Sequence, residues 1–374
     1  MNNLIIKTEL LKDIGSKILF AIDTEEKSVV TDTLQIRAKD GILEMCVTNG
    51  EYFVRVSINN TEGDLFATVN AKVFLKLLSM ITTDTISLSV NDTVLIIKAN
   101  GTYKLPIVFE GKDVYTLPEI TITNKISTAN ISSSTLKSIL QYNSKEFLKN
   151  NKITRNYVQE LYYIDSEGAI TFTNGACVNN FSVSTNFKVL LTQKLVKLFK
   201  LFTSDFVSVS LGSDIENGVT LSKIQFISNN IEITSIIPNP DELVSKIPVT
   251  AIRDRAYKDY PYTVSLDKSN ILAACNRINI LSSDSSVENI YSLFEFTDGK
   301  LYLYDMRKEN KEEVAILKKN VDNFEYSFMI NLEEFIISLN VCESDVLVFS
   351  FGDKSALVIN DKNIRYILPE AVLD

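Results

Sequence analysis

Apolar residues recur along this chain with two periods. At Leu10, Leu11, Ile14 and Ile18, at Leu136, Ile139 and Leu140, and at Ile271, Leu272, Cys275 and Ile278 they follow a spacing of three and four. That spacing puts one apolar face on an α-helix. The segments 71–81, 191–202 and 331–340 have the same character. Between these six helices apolar and polar residues alternate, which predicts strands buried on one face. The order helix, several strands, helix, several strands occurs three times.

Three motifs recur in the same order within that pattern. An acidic residue and a glycine open a strand–turn–strand at Gly41, Gly168 and Gly299. A helical stretch then ends in a polar pair and an aspartate, at Asp84, Asp205 and Asp345, before an alternating strand. A strand closing on Leu-Pro or Ile-Pro follows: Leu105-Pro106, Ile237-Pro238 and Leu368-Pro369. An ordered triplet repeated three times implies three similar modules. We set them at 1–124, 125–250 and 251–374, with linkers at 114–125 and 247–261 where proline and mixed polarity break the pattern. The expected fold class is α+β. The recurring aspartates sit at helix-to-strand turns, where Asp is a common turn residue, and read as structural.

Composition narrows the chemistry. The chain has 374 residues, 38 Lys plus Arg, 47 Asp plus Glu and no His, for a net charge of −9. Without histidine, Ser-His-Asp and Cys-His catalysis and His-ligated metal sites are excluded. Cys46, Cys177, Cys275 and Cys342 form no C-x-x-C pair, so neither structural zinc nor a disulfide framework is expected. No G-x-x-x-x-G-K loop occurs. We therefore expect no catalytic residues, no metal and no cofactor. No run reaches the ~18 apolar residues of a membrane helix. The opening residues lack the features of a signal peptide. The expectation is a cytoplasmic protein with no membrane partner.

Three modules of this pattern resemble the bacterial sliding clamp, the β subunit of DNA polymerase III. The resemblance spans the whole chain. It rests on the first strand–turn–strand (LQIRAKDGILEMCVTNGEYFVRV), on Thr173-Asn174-Gly175, on Ile280-Leu281-Ser282 after the fifth helix, and on the ending Tyr366-Ile367-Leu368-Pro369. Asn174 where the family has Asp, Ala176-Cys177 where it has His-Arg, and the EAVLD tail mark a divergent member.

The resemblance implies a homodimeric ring with antiparallel sheets outside and helices inside. Such a ring encircles double-stranded DNA without reading its sequence and tethers a DNA polymerase, after a clamp loader places it. Lys12, Lys17, Lys72, Lys76, Lys137, Lys194, Lys197, Lys200, Lys268 and Arg277 on or beside the helices would face DNA, with Lys149, Lys152 and Arg155 in a basic loop. The sixth helix carries no base. The family's partner-peptide groove would map onto Val158, Thr173, Gly175, Val178, Pro240, Ile247, Ser355, Leu357, Tyr366, Ile367 and Leu368. The subunit interface would use Tyr103, Leu105, Ile280 and Leu281. The alternative weighed against it is a β-rich repeat protein with a structural or adhesive role.

Overall fold

A computed structural model describes residues 3–23, 27–59, 61–141, 161–172, 176–180, 188–216, 218–239, 247–282 and 291–371. The six expected helices are Thr8–Ala21, Ala71–Met80, Ser133–Gln141, Gln193–Lys197 with a 3-10 turn at Leu198–Leu201, Lys268–Ser282 and Leu332–Val341. Their periodic residues supply the buried faces: Leu11, Ile14 and Ile18 in the first, Ile271, Cys275 and Ile278 in the fifth. Leu10, counted with the first of these faces, is exposed.

The repeat extends to individual hydrogen bonds. The first residue of each leading helix donates its backbone N–H to the carbonyl of the recurring aspartate: Thr8 to Asp84 at 2.9 Å, Ser133 to Asp205 at 3.0 Å, Lys268 to Asp345 at 2.8 Å. Each second helix is capped by a side-chain oxygen. Asn70 accepts from the Val73 N–H, Thr192 from Leu195 and Asn331 from Glu334. Asp40-Gly41 and Asp298-Gly299 both take positive φ, as a two-residue hairpin turn of matching twist requires. The third turn differs. Asp165 pairs with Gly168, so its loop residues are Ser166 and Glu167.

The chain divides into two compact units, Met1–Leu136 with Lys197–Pro238, and Lys137–Val196 with Asn239–Asp374. In the first, an eight-stranded antiparallel sheet joins the strands between 33 and 70 to those between 125 and 237, through the pairing of Tyr52–Asn59 with Ile231–Ile237. In the second, a nine-stranded sheet is joined in the same way by Ala176–Asn180 against Ile364–Pro369. Each unit also holds a four-stranded sheet with an edge left unpaired among the described residues. Thr102–Pro106 is one of its two edge strands in the first unit, the other being Asn3–Lys7, and Lys311–Ala315 is one of two in the second, the other being Tyr326–Asn331. By position in the repeat, Thr102–Pro106 corresponds to Ile231–Ile237 and Ile364–Pro369, and Lys311–Ala315 to Tyr52–Asn59 and Ala176–Asn180. These two edges hold the repeat positions whose counterparts pair at the junction inside each unit.

The expected linkers are tightly held. In the first unit, residues 115–124 cross the sheet face that carries Gln35, Cys46, Arg55 and Glu232, which share one row of the register. Leu117 packs on Cys46 and Phe53, its N–H donates to the Gln35 side chain, and Arg55 pairs with Glu119 and Glu232. Asp214 takes a hydrogen bond from the Thr123 hydroxyl at 2.7 Å and from the Thr123 and Asn124 N–H groups, which hold its carboxyl well below the usual range. The second linker holds a helix, Val249–Ala256, where only an irregular connection was expected.

Candidate functional site

The nine-stranded sheet of the second unit separates two apolar layers. Cys177 pairs with Tyr366 and Val178 with Arg365, and successive residues of a strand point to opposite faces. On one face Leu357, Tyr366 and Leu368 join the large core containing Phe296, Phe335 and Phe351. On the other, Val178 and Ile367 are buried with Ile247, Ile252, Ala256, Tyr260 and Val358. The expected groove set is thus divided. The structure brings Val178, Ile247 and Ile367 together, with Ser355 at the rim of an adjoining cleft. It sends Leu357, Tyr366 and Leu368 to the opposite core, a correction forced by strand alternation. Val158, Thr173, Gly175 and Pro240 lie outside the described residues.

The helix Val249–Ala256 covers this second face. Arg253 forms a two-pronged pair with Asp165 (2.6 and 2.9 Å) and reaches Glu167 at 2.9 Å. Burial alone would raise the Asp165 carboxyl. The hydrogen bonds from Arg253, the Glu167 N–H and the Tyr163 hydroxyl outweigh it and hold the group below its ordinary range. Just past the helix, Lys258 pairs with Asp353 at 2.8 Å. Asp353 is pushed up by burial, yet Lys258 and the Ser355 side chain and N–H bring it to about 2. Between helix and sheet lies a cleft of about 900 Å3, bordered by Ser166, Val178, Asn180, Arg255, Tyr257 and Ser355. The Arg365 guanidinium lies 5.7 Å from the Tyr257 ring centre. Sequence reading missed these clasps. The signal was present, since Val249, Ile252 and Ala256 follow helical spacing after Pro248.

The nominated cations have unequal surroundings. In the first unit Lys72 and Lys76 lie on the exposed side of Ala71–Met80, with Lys72 3.4 Å from Asp32. Lys12 donates to the Ser79 carbonyl, Lys17 pairs with Asp13 one turn away, and Lys200 lies over the Phe20 ring. Lys197 is half-buried. In the second unit Lys137 is exposed and Lys194 half-buried. Lys268 is tied to the Cys342 carbonyl and Arg277 is forked onto Glu312, both oxygens at 2.7 Å. Lys149, Lys152 and Arg155 lie outside the described residues.

Tyr103 and Leu105 are half-buried on the free edge Thr102–Pro106. Ile280 and Leu281 are 70% and 55% exposed near the end of Lys268–Ser282, a helix that packs against the other free edge. Among the described residues no group of Asp, Glu, Cys or His could hold a metal ion. Burial pushes all four thiols up, Cys46 and Cys342 to about 12, so none is an activated nucleophile.

No protein-family model matches the chain, and no curated protein matches it by sequence. Solved structures do match. The DNA polymerase III subunit beta from Pseudomonas aeruginosa superposes with a TM-score of 0.78 at 16% identity, over 99% of this chain and 100% of that one. The beta subunit from Thermotoga maritima gives 0.77 at 15%, and the sliding clamp from Bacillus subtilis 0.76 at 14%, each covering 100% of both chains. The chain has the fold of the bacterial sliding clamps. Its α+β class and antiparallel sheets are those of the clamp fold throughout. At this identity the likeness speaks for architecture, and function has to be argued from this chain's own edges and faces.

Proposed function

We propose that this chain is a DNA sliding clamp, a ring-forming processivity factor with three modules at 1–124, 125–250 and 251–374. The observation that carries the reading is the strand order. Two junctions within the chain pair one repeat's strand with the next, and Thr102–Pro106 and Lys311–Ala315 are the unfilled halves of a third. Joining them between copies gives a head-to-tail interface that closes into a ring, and a ring also removes two exposed sheet edges. Tyr103 and Leu105 on one edge and Ile280 and Leu281 beside the other supply the apolar contact.

Enclosure suits the charge. At net −9 the chain has little overall attraction for DNA, yet a ring needs none to stay on a duplex. Lys72 and Lys76, with Lys12 and Lys200, would provide exchangeable phosphate contacts that carry no sequence information and permit sliding. A tethered polymerase then works at a high effective concentration. In this reading the protein performs no catalysis itself, needs no metal or cofactor, acts in the cytoplasm, and depends on a loader to open it. Partner proteins would dock on the face holding Val178, Ile247, Ser355 and Ile367. Full-length likeness to clamps leaves nothing that favours an adhesive repeat protein.

Sedimentation of the purified protein tests the assembly. A closed homodimer has twice the 42.1 kDa chain mass at all but the lowest concentrations. A monomer at micromolar concentration, or a ladder of open chains, contradicts the reading.

A further inference from the structure

We propose that the helix Val249–Ala256 is a displaceable cover, resident on the partner-docking face of the second unit, which partners must lift to bind. The inference rests on the peptide-docking reading above and adds its regulation. Ile252 and Ala256, with Ile247 and Tyr260 on either side, lie on the sheet residues Val178 and Ile367. An incoming apolar side chain therefore finds its place occupied by this chain's own residues.

Three features make the cover separable from the sheet. The helix has eight residues, and Pro248 at its start offers no side-chain cap. Helices shorter than ~12–15 residues are marginal alone, so docking supplies its order. Its polar anchors are ion pairs at the rim, Arg253 with Asp165 and Glu167, and Lys258 with Asp353. All are side-chain pairs, so parting them breaks no ladder hydrogen bond, although the Arg253–Asp165 pair is only 18% and 15% exposed. The sheet keeps its own ladder beneath, through Ala176–Asn180 on Ile364–Pro369 and the strand Ala356–Asp361 beyond. Val178 both packs under the helix and borders the open cleft, so an apolar floor runs from the cleft to beneath the cover. A partner segment can start in the cleft and displace the helix progressively.

The helix itself is the probe. A labelled synthetic peptide of residues 247–260 should bind an Ile252→Asp/Arg253→Ala variant, whose cover is loosened, at least about tenfold more tightly than the wild type. Equal binding to both, or to neither, overturns the inference. Hydrogen exchange on the wild type needs no variant. Amides of residues 252–257 should exchange about 100-fold faster than those of Ile364–Pro369 beneath them. Equal protection, meaning that helix and sheet open only together, also overturns it. Neither assay contains DNA or polymerase. A variant that opens and binds the peptide, yet gives no longer primer extension than wild type, defeats the partner-docking reading and leaves the displaceable cover standing.

Discussion

Arg253 joins three parts of the second unit. Its own helix, the strand Leu161–Asp165 and the turn at Glu167 meet at one guanidinium. Arg253→Ala strands a half-buried Asp165 and should cost about 1–3 kcal/mol in urea unfolding. The clasps also predict an acid limit. The Asp165 and Asp353 carboxyls titrate below their unfolded values, so their contribution is complete above about pH 4. It fades as pH falls through the folded values, near 2 for Asp353. Exchange at 252–257 should therefore accelerate as pH is lowered from about 4 to 2, after correction for intrinsic rates. A pH-independent opening contradicts the clasp. In the first unit, Gly212 is required by close approach. A Cβ there would lie 2.2 Å from the Ile122 Cγ2 and 2.9 Å from the Asn124 carbonyl oxygen. Gly212→Ala should lift the 115–124 segment and lower stability by about 1–3 kcal/mol. An unchanged unfolding midpoint would show that the segment is not held there.

At the scale of elements, the six helices and the Asp-Gly hairpins were legible because local chemistry sets them. A spacing of three and four fixes a buried helix face, and Asp40-Gly41 and Asp298-Gly299 suit the positive φ of a tight turn. The proposed docking face was legible only in part. Tyr366, Ile367 and Leu368 are consecutive in a strand and cannot share a face, a rule the sequence states but the family pattern obscured. The helix Val249–Ala256 was hidden by its setting between Pro248 and Pro261, which reads as a connection. The edges entered only through the family resemblance, which named Tyr103, Leu105, Ile280 and Leu281, because an edge is defined by what fails to pair in three dimensions. They can be tested apart from the core. Ile280→Asp with Leu281→Asp alters two exposed residues, so Tm should stay within about 3 °C. The same change places carboxylates in the proposed apolar interface and should convert the dimer to monomer in sedimentation. A dimer that persists would move the interface elsewhere.

For the whole molecule, the central claim is that DNA is retained by enclosure while phosphate contacts only lubricate it. Lys72→Glu with Lys76→Glu should weaken residual binding to short open duplexes and reduce its dependence on salt, by about 0.9 in logarithmic slope for each phosphate no longer neutralised. It should not release a ring already closed on a circle. The decisive comparison uses wild-type protein loaded on nicked circular DNA, divided and cut once with a restriction enzyme in one half, then passed through a sizing column at about 0.15 M salt, where surface attraction is largely screened. The account predicts that protein stays with the circle and is lost from the linear molecule. Equal retention on both, or equal loss from both, would contradict it.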